Sequence, residues 1–280
     1  MNNFFTECSY AKVNLGLKII NQRPDKYHNI SSIFIQINLH DKLYFIPNKK
    51  FEIESQGIKS PLGEKNIVFK VAQILNKEFG INIKHKIIID KNIPIGSGLG
   101  GGSSNAATAL KVLANLYDLN ISSNDYIKLA NQLGSDVPFF INGGLQIAEG
   151  KGEQLSPASI SLEDYTILLV CPDFSISTKW AYSFFKNNLP KSFNGNKFRT
   201  FQNNIDWLLF ENDFEEVIKT TYPEVIEIRG KLEASEALFV SLSGSGSTMF
   251  GIFDDFSKAN IAQQTLKPYF CHIVQPIIRK

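Results

Sequence analysis

The chain has 280 residues, of which 43% are hydrophobic, and its 29 Lys and Arg residues against 27 Asp and Glu residues leave a net charge of +2. A chain of this length can bury a substantial core, and it more often forms two domains than one. The near-neutral charge, without a gathered basic cluster, argues against a nucleic-acid-binding or membrane-surface protein.

The three cysteines, Cys8, Cys171 and Cys271, lie far apart and form no CxxC pair. This spacing predicts neither a disulfide scaffold nor a structural zinc site. The opening residues 1–15 lack the basic region of a signal peptide, and no later apolar run reaches membrane-spanning length. We therefore expect a cytoplasmic protein with no membrane segment, and no protein partner is implied.

The predicted elements of the first half surround a glycine-rich stretch. Apolar residues alternate over 81–89, which is typical of a half-buried strand. The stretch PIGSGLGGGSSNAA (94–107) follows, with five glycines in its first nine residues. Apolar residues then recur at helical spacing over 106–117, and Ser103 or Ser104 is expected to cap this helix. The predicted order is strand, glycine loop and capped helix.

A second helix is predicted from about Asn124 to Gly134, capped by Ser122 or Ser123, because the Pro138 that follows prevents smooth continuation. The composition then turns polar and turn-forming over 150–165. We place a domain boundary there, between residues 158 and 159.

The second half alternates strands and helices. The predicted elements are a strand over 165–172, a helix containing 180–187, a loop at 192–200, a helix before and through 223–235, strands at 237–243 and 248–253 around the loop GSGS (244–247), and a last helix near 257–267. This alternation predicts an α+β or α/β architecture.

A glycine loop that leads into a helix exposes several backbone N–H groups at the positive end of the helix dipole, which favours phosphate. A Walker A loop would need a lysine after the glycines, and none is present. A Rossmann loop would need an acidic residue about 20 residues on, and Asp118 falls there only in a helix-end context. Tight backbone packing is the alternative that involves no ligand.

The stretch 94–108 resembles the signature of the GHMP kinases, which phosphorylate small molecules, and 11–19 and 241–253 resemble that family's first and third motifs in the same order. The resemblance implies an α+β fold with a ribosomal-protein-S5-like domain (1–158) and a ferredoxin-like domain (159–280). It also implies an ATP-dependent enzyme with Mg²⁺ close to Ser103 or Ser104, and a third motif that lies against the glycine loop. The implied ATP-binding residues are Pro94, Ile95, Gly96, Ser97, Gly98, Leu99, Gly100, Gly101, Gly102, Ser103 and Ser104.

The resemblance also assigns the chemistry. It implies that Asp136 is the catalytic base, that Lys12 is its cationic partner, and that Asn14, on the same strand face as Lys12, orients the acceptor. The residues alone leave other interpretations open. Asp136 could cap a short helix, and Lys12 alone would be taken for an exposed strand lysine. Metal ligands beyond the serines, and the oligomeric state, are not predicted.

Residues 23–32, RPDKYHNISS, resemble the branch of the family that phosphorylates a cytidine-diphosphate-linked methylerythritol. The resemblance implies that Tyr27 and Tyr182 stack on the cytosine and that His28 bonds its edge; Phe184 and Phe185 are expected in the core instead. Lys26 departs from the family's usual glycine, although the turn is expected to survive. A mevalonate or homoserine kinase and a non-catalytic nucleotide sensor remain alternatives.

Overall fold

The structure is a computed structural model, described here over residues 4–185 and 205–278. The strands are β1 (Phe5–Gln22), β2 (His28–Pro47), β3 (Glu52–Gly57), β4 (His85–Lys91), β5 (Leu145–Glu149), β6 (Gln154–Pro157), β7 (Thr166–Cys171), β8 (Phe239–Leu242), β9 (Met249–Phe253) and β10 (Phe270–Val274). The helices are α1 (Ile67–Phe79), α2 (Gly101–Leu116), α3 (Ser123–Leu133), α4 (Val137–Asn142), α5 (Thr178–Ser183), α6 (Phe214–Thr221), α7 (Glu224–Ala234) and α8 (Phe256–Thr265). Within these described ranges, no helix is long and apolar enough to cross a membrane.

The chain divides into two compact units, and the division is discontinuous in sequence. The first unit comprises the described residues up to Ala11 together with 39–95 and 100–142. The second comprises 12–38, 96–99 and the described residues from 143 onward. A single cut at residue 158 is a different kind of division, and it stays a prediction.

The first unit holds the strand and the helix on either side of the glycine loop. The C-terminal part of β2 pairs antiparallel with β4, and β3 pairs parallel with β4. Helix α1 begins after Asn66, whose side chain accepts a hydrogen bond from the Val68 amide, and ends at Gly80 in the left-handed conformation. Helix α1 packs against α2, most of whose residues are buried. The start of α2 is therefore anchored in a packed core.

The second unit contains a four-stranded antiparallel sheet in the order β10-β7-β9-β8. Helices α7 and α8 pack on this sheet, and Leu17 of β1 and Phe214 of α6 share its hydrophobic core. The first part of β2 pairs with β5, which pairs with β6. Residues 243–248 connect β8 to β9, so they lie at the end of a paired hairpin.

The α+β class is confirmed, and so are most predicted elements of the second half. Helix α3 begins after Ser122, whose hydroxyl accepts the Asp125 amide, as predicted. Strand β4 begins at His85 rather than at residue 81, and neither α1 nor β10 was predicted. The predicted loop at 192–200 lies outside the described residues.

Candidate active site

The glycine loop, residues 94–104, connects β4 to α2. Gly96, Gly98 and Gly100 have φ angles of 65°, 81° and 70°, in the left-handed region that strains residues with a β-carbon. Gly98 has a second constraint, because a β-carbon there would lie 2.0 Å from the carbonyl oxygen of Ser243. Both conformation and space therefore require glycine at this position.

The predicted cap of the helix after this loop is wrong. The N-cap of α2 is Gly100, with no side-chain hydrogen bond, and the helix begins at Gly101. Ser103 and Ser104 consequently lie within the first turn. The left-handed glycine turns the chain into the helix earlier than a serine cap would, and it leaves the first helical N–H groups without intrahelical partners, as at any helix start.

The loop that joins β8 to β9 lies against the glycine loop, as the resemblance predicted. The hydroxyl of Ser243 donates to the carbonyl oxygen of Gly98 at 3.0 Å. The amide of Thr248 donates to the carbonyl oxygen of Ser97 at 3.1 Å. Two backbone loops separated by about half the chain thus hold each other in place.

Lys12 and Asn14 form a buried pair on β1. Their side chains are 3% and 1% exposed, and the Lys12 ammonium donates to the Asn14 amide oxygen. Asn14 in turn donates to the hydroxyl of Ser32 at 3.0 Å. The interpretation of Lys12 as an exposed strand lysine is therefore wrong, because a buried ammonium needs partners such as these.

The same pair lies beside both loops. The Lys12 amide donates to the carbonyl oxygen of Leu99 in the glycine loop at 3.0 Å. A β-carbon at Gly244 would lie 3.3 Å from the Asn14 amide oxygen and 3.6 Å from the Lys12 ammonium nitrogen. The structure thus brings a buried cation to the place where the two loops meet.

Asp136 directly precedes the short helix α4 and is half-buried. The hydroxyl of Ser135 lies 3.4 Å from its carboxylate. The next four residues, 137–140, are buried, so Asp136 directly precedes a buried apolar segment. Asp136 belongs to the first compact unit and Lys12 to the second, and their pairing stays a prediction.

His28 and Tyr182 come together in the structure. Their rings stack with centroids 5.1 Å apart and planes inclined by 19°. Burial lowers the pKa of His28, which favours the neutral imidazole. Its Nε2 is buried and has no hydrogen-bond partner among the described residues, so the hydrogen-bonding capacity of this nitrogen is unsatisfied in the free protein.

The other aromatic residues of this group differ in exposure. Tyr27 is 57% exposed, and the Lys151 ammonium lies 5.2 Å from the centre of its ring. Phe185 is buried as predicted, but Phe184 is 43% exposed, so its predicted place in the core is wrong. Phe184 instead packs edge-on against Trp180 outside the core.

The turn before Tyr27 keeps its shape without a glycine. Lys26 has a φ of 69°, and its amide donates to the carbonyl oxygen of Arg23 at 3.0 Å. Asp25 pairs with Arg23 across the turn. The turn therefore survives as predicted, at the strain that a left-handed lysine carries.

A buried ion pair at the entrance to the glycine loop was not predicted. Lys91 and Asp41 are 4% and 0% exposed in their side chains, and Asp41 accepts the amides of Asn92 and Ile93 at 2.8 Å each. Desolvation lowers the pKa of Lys91, while Asp41 acts in the opposite direction. A β-carbon at Gly101 would lie 2.8 Å from the Lys91 ammonium nitrogen. The sequence feature that could have predicted this buried pair is a charged residue, Lys91, at the end of the apolar strand 87–91.

Comparisons with known proteins match most of the chain. Residues 66–144 match the family described as GHMP kinases N terminal domain, and residues 191–271 match GHMP kinases C terminal. A relative from Thermodesulfovibrio yellowstonii, named 4-diphosphocytidyl-2-C-methyl-D-erythritol kinase, is 38% identical over 96% of this chain and 97% of its own. A relative of the same name from Prosthecochloris aestuarii is 38% identical over 92% of each chain.

Solved structures agree. A crystal structure of 4-(cytidine 5'-diphospho)-2C-methyl-D-erythritol kinase superimposes with a TM-score of 0.79 and 28% identity, covering 97% of this chain and 99% of that one. Homoserine kinase from Cytophaga hutchinsonii has a TM-score of 0.71 at 17% identity, covering 98% of this chain and 95% of that one. The second likeness shows a shared fold only.

Proposed function

This chain belongs to the GHMP kinases, and from that premise we propose that it transfers the γ-phosphoryl group of ATP to the 2-hydroxyl of 4-diphosphocytidyl-2-C-methyl-D-erythritol. That step belongs to non-mevalonate isoprenoid precursor biosynthesis. The observation that carries the proposal is the position of Lys12. The residue is buried, its backbone amide bonds the glycine loop, and its ammonium nitrogen lies beside Gly244. Relatives that carry the name of this kinase support the choice of substrate.

The ATP phosphates would lie on the glycine loop, residues 94–104, and on the first amides of α2. These amides point along the helix axis toward the loop, and the dipole adds positive potential there. A kinase of this kind gains its rate mainly by placing the acceptor in line with the γ-phosphorus and by stabilising the charge in the transition state.

Mg²⁺ fits this site through few protein oxygens. Among residues 4–185 and 205–278, no three His, Cys, Asp or Glu side chains gather into a metal site, and Mg²⁺ commonly relies on phosphate oxygens and waters. The Ser104 hydroxyl is buried 2.7 Å from that of Ser9, whereas Ser103 is only half-buried. We assign Ser103 as the protein ligand. The metal, when bound, would supply charge neutralisation at the phosphates.

The transfer step then has a role for each polar residue. A bond forms between the acceptor oxygen and the γ-phosphorus, the bond from that phosphorus to ADP breaks, and the acceptor proton passes to the Asp136 carboxylate. The Lys12 ammonium would stabilise the developing negative charge on the acceptor and phosphoryl oxygens. Asn14, whose amide oxygen already accepts from Lys12, would orient that ammonium and the acceptor hydroxyl.

The cytidine would be recognised by Tyr27, His28 and Tyr182. The exposed ring of Tyr27 offers a stacking face, and the unpartnered Nε2 of His28 offers a bond to the edge of the base. One face of Tyr182 is covered by His28. Tyr182 also packs edge-to-face with the buried ring of Phe214 at 4.8 Å, so it supports the imidazole in the free protein, and its stacking on the cytosine stays a prediction.

The decisive experiment separates the alternatives by product. The protein is incubated with ATP, Mg²⁺ and the cytidyl substrate, and in parallel with mevalonate and with homoserine, and phosphorylated products are identified by mass spectrometry. Phosphorylation of the cytidyl substrate alone is expected. A product from mevalonate or homoserine instead would assign another kinase activity, and no product from any substrate would favour a nucleotide-binding sensor.

A cytoplasmic location, consistent with three free thiols, stays a prediction.

A further inference from the structure

Asn212, just before α6, uses its whole side-chain amide in hydrogen bonds. The residue is 4% exposed, and its Nδ2 donates to the carbonyl oxygens of Leu242 at 2.6 Å and Gly244 at 2.9 Å. Its Oδ1 accepts the amide of Phe214 at 3.0 Å. A carboxamide provides two donors and an acceptor in this arrangement, and an ionised carboxylate of the same shape provides no donor.

The backbone on either side of Asn212 is bound to the strand that carries the catalytic lysine. The Leu17 amide donates to the carbonyl oxygen of Glu211 at 2.9 Å, and the Asp213 amide donates to the carbonyl oxygen of Leu17 at 2.9 Å. These two bonds fix Asn212 relative to β1. Any group that Asn212 holds is therefore placed relative to Lys12, which lies on β1 five residues before Leu17.

The group that Asn212 holds is backbone that lies close to Lys12 and Asn14. Gly244 has a φ of 58°, and a β-carbon there would lie 3.3 Å from the Asn14 amide oxygen. A shift of this backbone toward β1 would press on the pair, and a shift away would open space beside it. The position of Gly244 thus sets how much space lies beside the buried pair.

The preceding strand is held independently of Asn212. The Glu215 carboxylate accepts the hydroxyl of Ser241 at 2.8 Å and the amide of Leu242 at 2.9 Å, and it pairs with Arg229. Loss of the Asn212 bonds would therefore remove a restraint at Gly244 while β8 stays anchored and the loop keeps its bonds to the glycine loop. This separation makes a local effect on the loop testable.

We propose that Asn212 is a positioning residue for phosphoryl transfer, because its carboxamide fixes the loop 243–247 against the Lys12–Asn14 pair. Asn212 contacts no reacting group itself and acts through Gly244. The proposal rests on the proposed function for the reaction it serves, but the placement of the loop can be measured without turnover.

The test compares Asn212→Asp with Asp213→Asn, two nearly isosteric changes on neighbouring residues. The Asp213 side chain bonds the Ile19 amide and the Lys18 ammonium, which lie on β1 and not on the loop, so its variant controls for loss of stability. Asn212→Asp should lower kcat between about tenfold and a hundredfold, with the KM for ATP within about threefold, since misplacement by roughly 1 Å has effects of this size. Asp213→Asn should keep kcat within about twofold of wild type, because its contacts lie outside this arrangement.

Hydrogen exchange supplies a readout that needs no activity. The amides of Ser243, Gly246 and Thr248 are hydrogen-bonded in the wild-type loop, and they should exchange faster in Asn212→Asp but not in Asp213→Asn. If the wild-type protein does not phosphorylate the cytidyl substrate, the proposed function fails, and unchanged exchange in Asn212→Asp would separately overturn the placement of the loop.

The kinetic result can also overturn the proposal. An unchanged kcat in Asn212→Asp, or an equal fall in both variants, would make Asn212 a residue of stability alone. Should Asn212→Asp fail to fold, Gly244→Ala takes its place, since the added methyl presses on Asn14 from the same loop. A selective fall in kcat is expected there too, and a normal kcat would refute the role of the loop.

Discussion

Two adjacent glycines at the start of α2 give opposite expectations for the same substitution. A β-carbon at Gly102 would meet nothing nearer than 3.9 Å, the distance to a methyl of Ile67, and the residue is exposed. A β-carbon at Gly101 would lie 2.8 Å from the Lys91 ammonium nitrogen and 2.9 Å from a methyl of Ile93. We therefore predict that Gly102→Val loses ATP affinity without loss of stability, whereas Gly101→Val destabilises the fold.

The magnitudes follow from these distances. Valine favours a helix over glycine by a few tenths of a kcal/mol, so Gly102→Val should change the free energy of unfolding by less than about 0.5 kcal/mol. If its side chain displaces phosphate from one helix amide, the loss of a charge-assisted bond of about 1.5–3 kcal/mol weakens ATP binding by about tenfold to a hundredfold. Gly101→Val overpacks the buried Lys91–Asp41 pair and should cost about 1–3 kcal/mol of stability.

Calorimetric titration with a non-hydrolysable ATP analogue and a thermal melt distinguish these effects. A loss of about 2 kcal/mol corresponds to a fall in Tm of about 4–8 °C for a chain near this size. Gly102→Ala is the matched control with the smallest added group, and its loss of affinity should lie between those of wild type and Gly102→Val. Unchanged ATP affinity in Gly102→Val would refute phosphate binding at this helix start, and a wild-type Tm in Gly101→Val would refute the packing argument.

Four further predictions concern the remaining site residues. Asp136→Asn removes the proposed base and should lower kcat by about a hundredfold or more with little change in ATP affinity; near-normal turnover in steady-state kinetics would exclude that role. Lys12→Ala should lower kcat more than ATP affinity, and a loss of ATP affinity alone, measured by titration, would make Lys12 an ATP anchor. His28→Ala should relax discrimination against the uridine analogue, and Tyr182→Ala should raise the KM for the cytidyl substrate. Unchanged kinetic constants in both variants would place the cytosine-binding site elsewhere. Lys26→Gly should raise the free energy of unfolding by up to about 1 kcal/mol, since it relieves a left-handed lysine, and a lower Tm would contradict this.

Local sequence signals found the elements that have their own start and stop residues. Helix α3 has Ser122 before it and Gly134 after it, and it was predicted nearly to the residue. Helix α1 has comparable signals in Asn66 and Gly80, so local signals are sufficient to predict it as well. Strand β10 is different, because its register against β7 comes from pairing with residues about a hundred positions away.

The residues of the candidate site likewise divide into those with a local sequence signal and those whose position depends on distant residues. The resemblance predicted roles for Lys12, Asn14 and His28, but the sequence did not report how deeply each side chain is buried. Lys12 is buried because the centre of β1 is covered on both sides, and no pattern over a few residues reports that. The hold of Asn212 on the loop gave no sequence signal either, because the two bonds that its amide donates go to carbonyl oxygens 30 and 32 residues away.

The five clustered glycines also meet two different needs that the sequence alone cannot separate. Gly98 is required by conformation and by the carbonyl of Ser243, which lies where its β-carbon would be. Gly102 has an ordinary helical conformation and open space around it, so nothing within the described part of the fold demands a glycine there. A glycine that folding does not require, at an exposed helix start, is explained if a ligand must approach the backbone closely. The absence of a side chain at Gly102 is therefore the feature of this loop that argues most directly for phosphate.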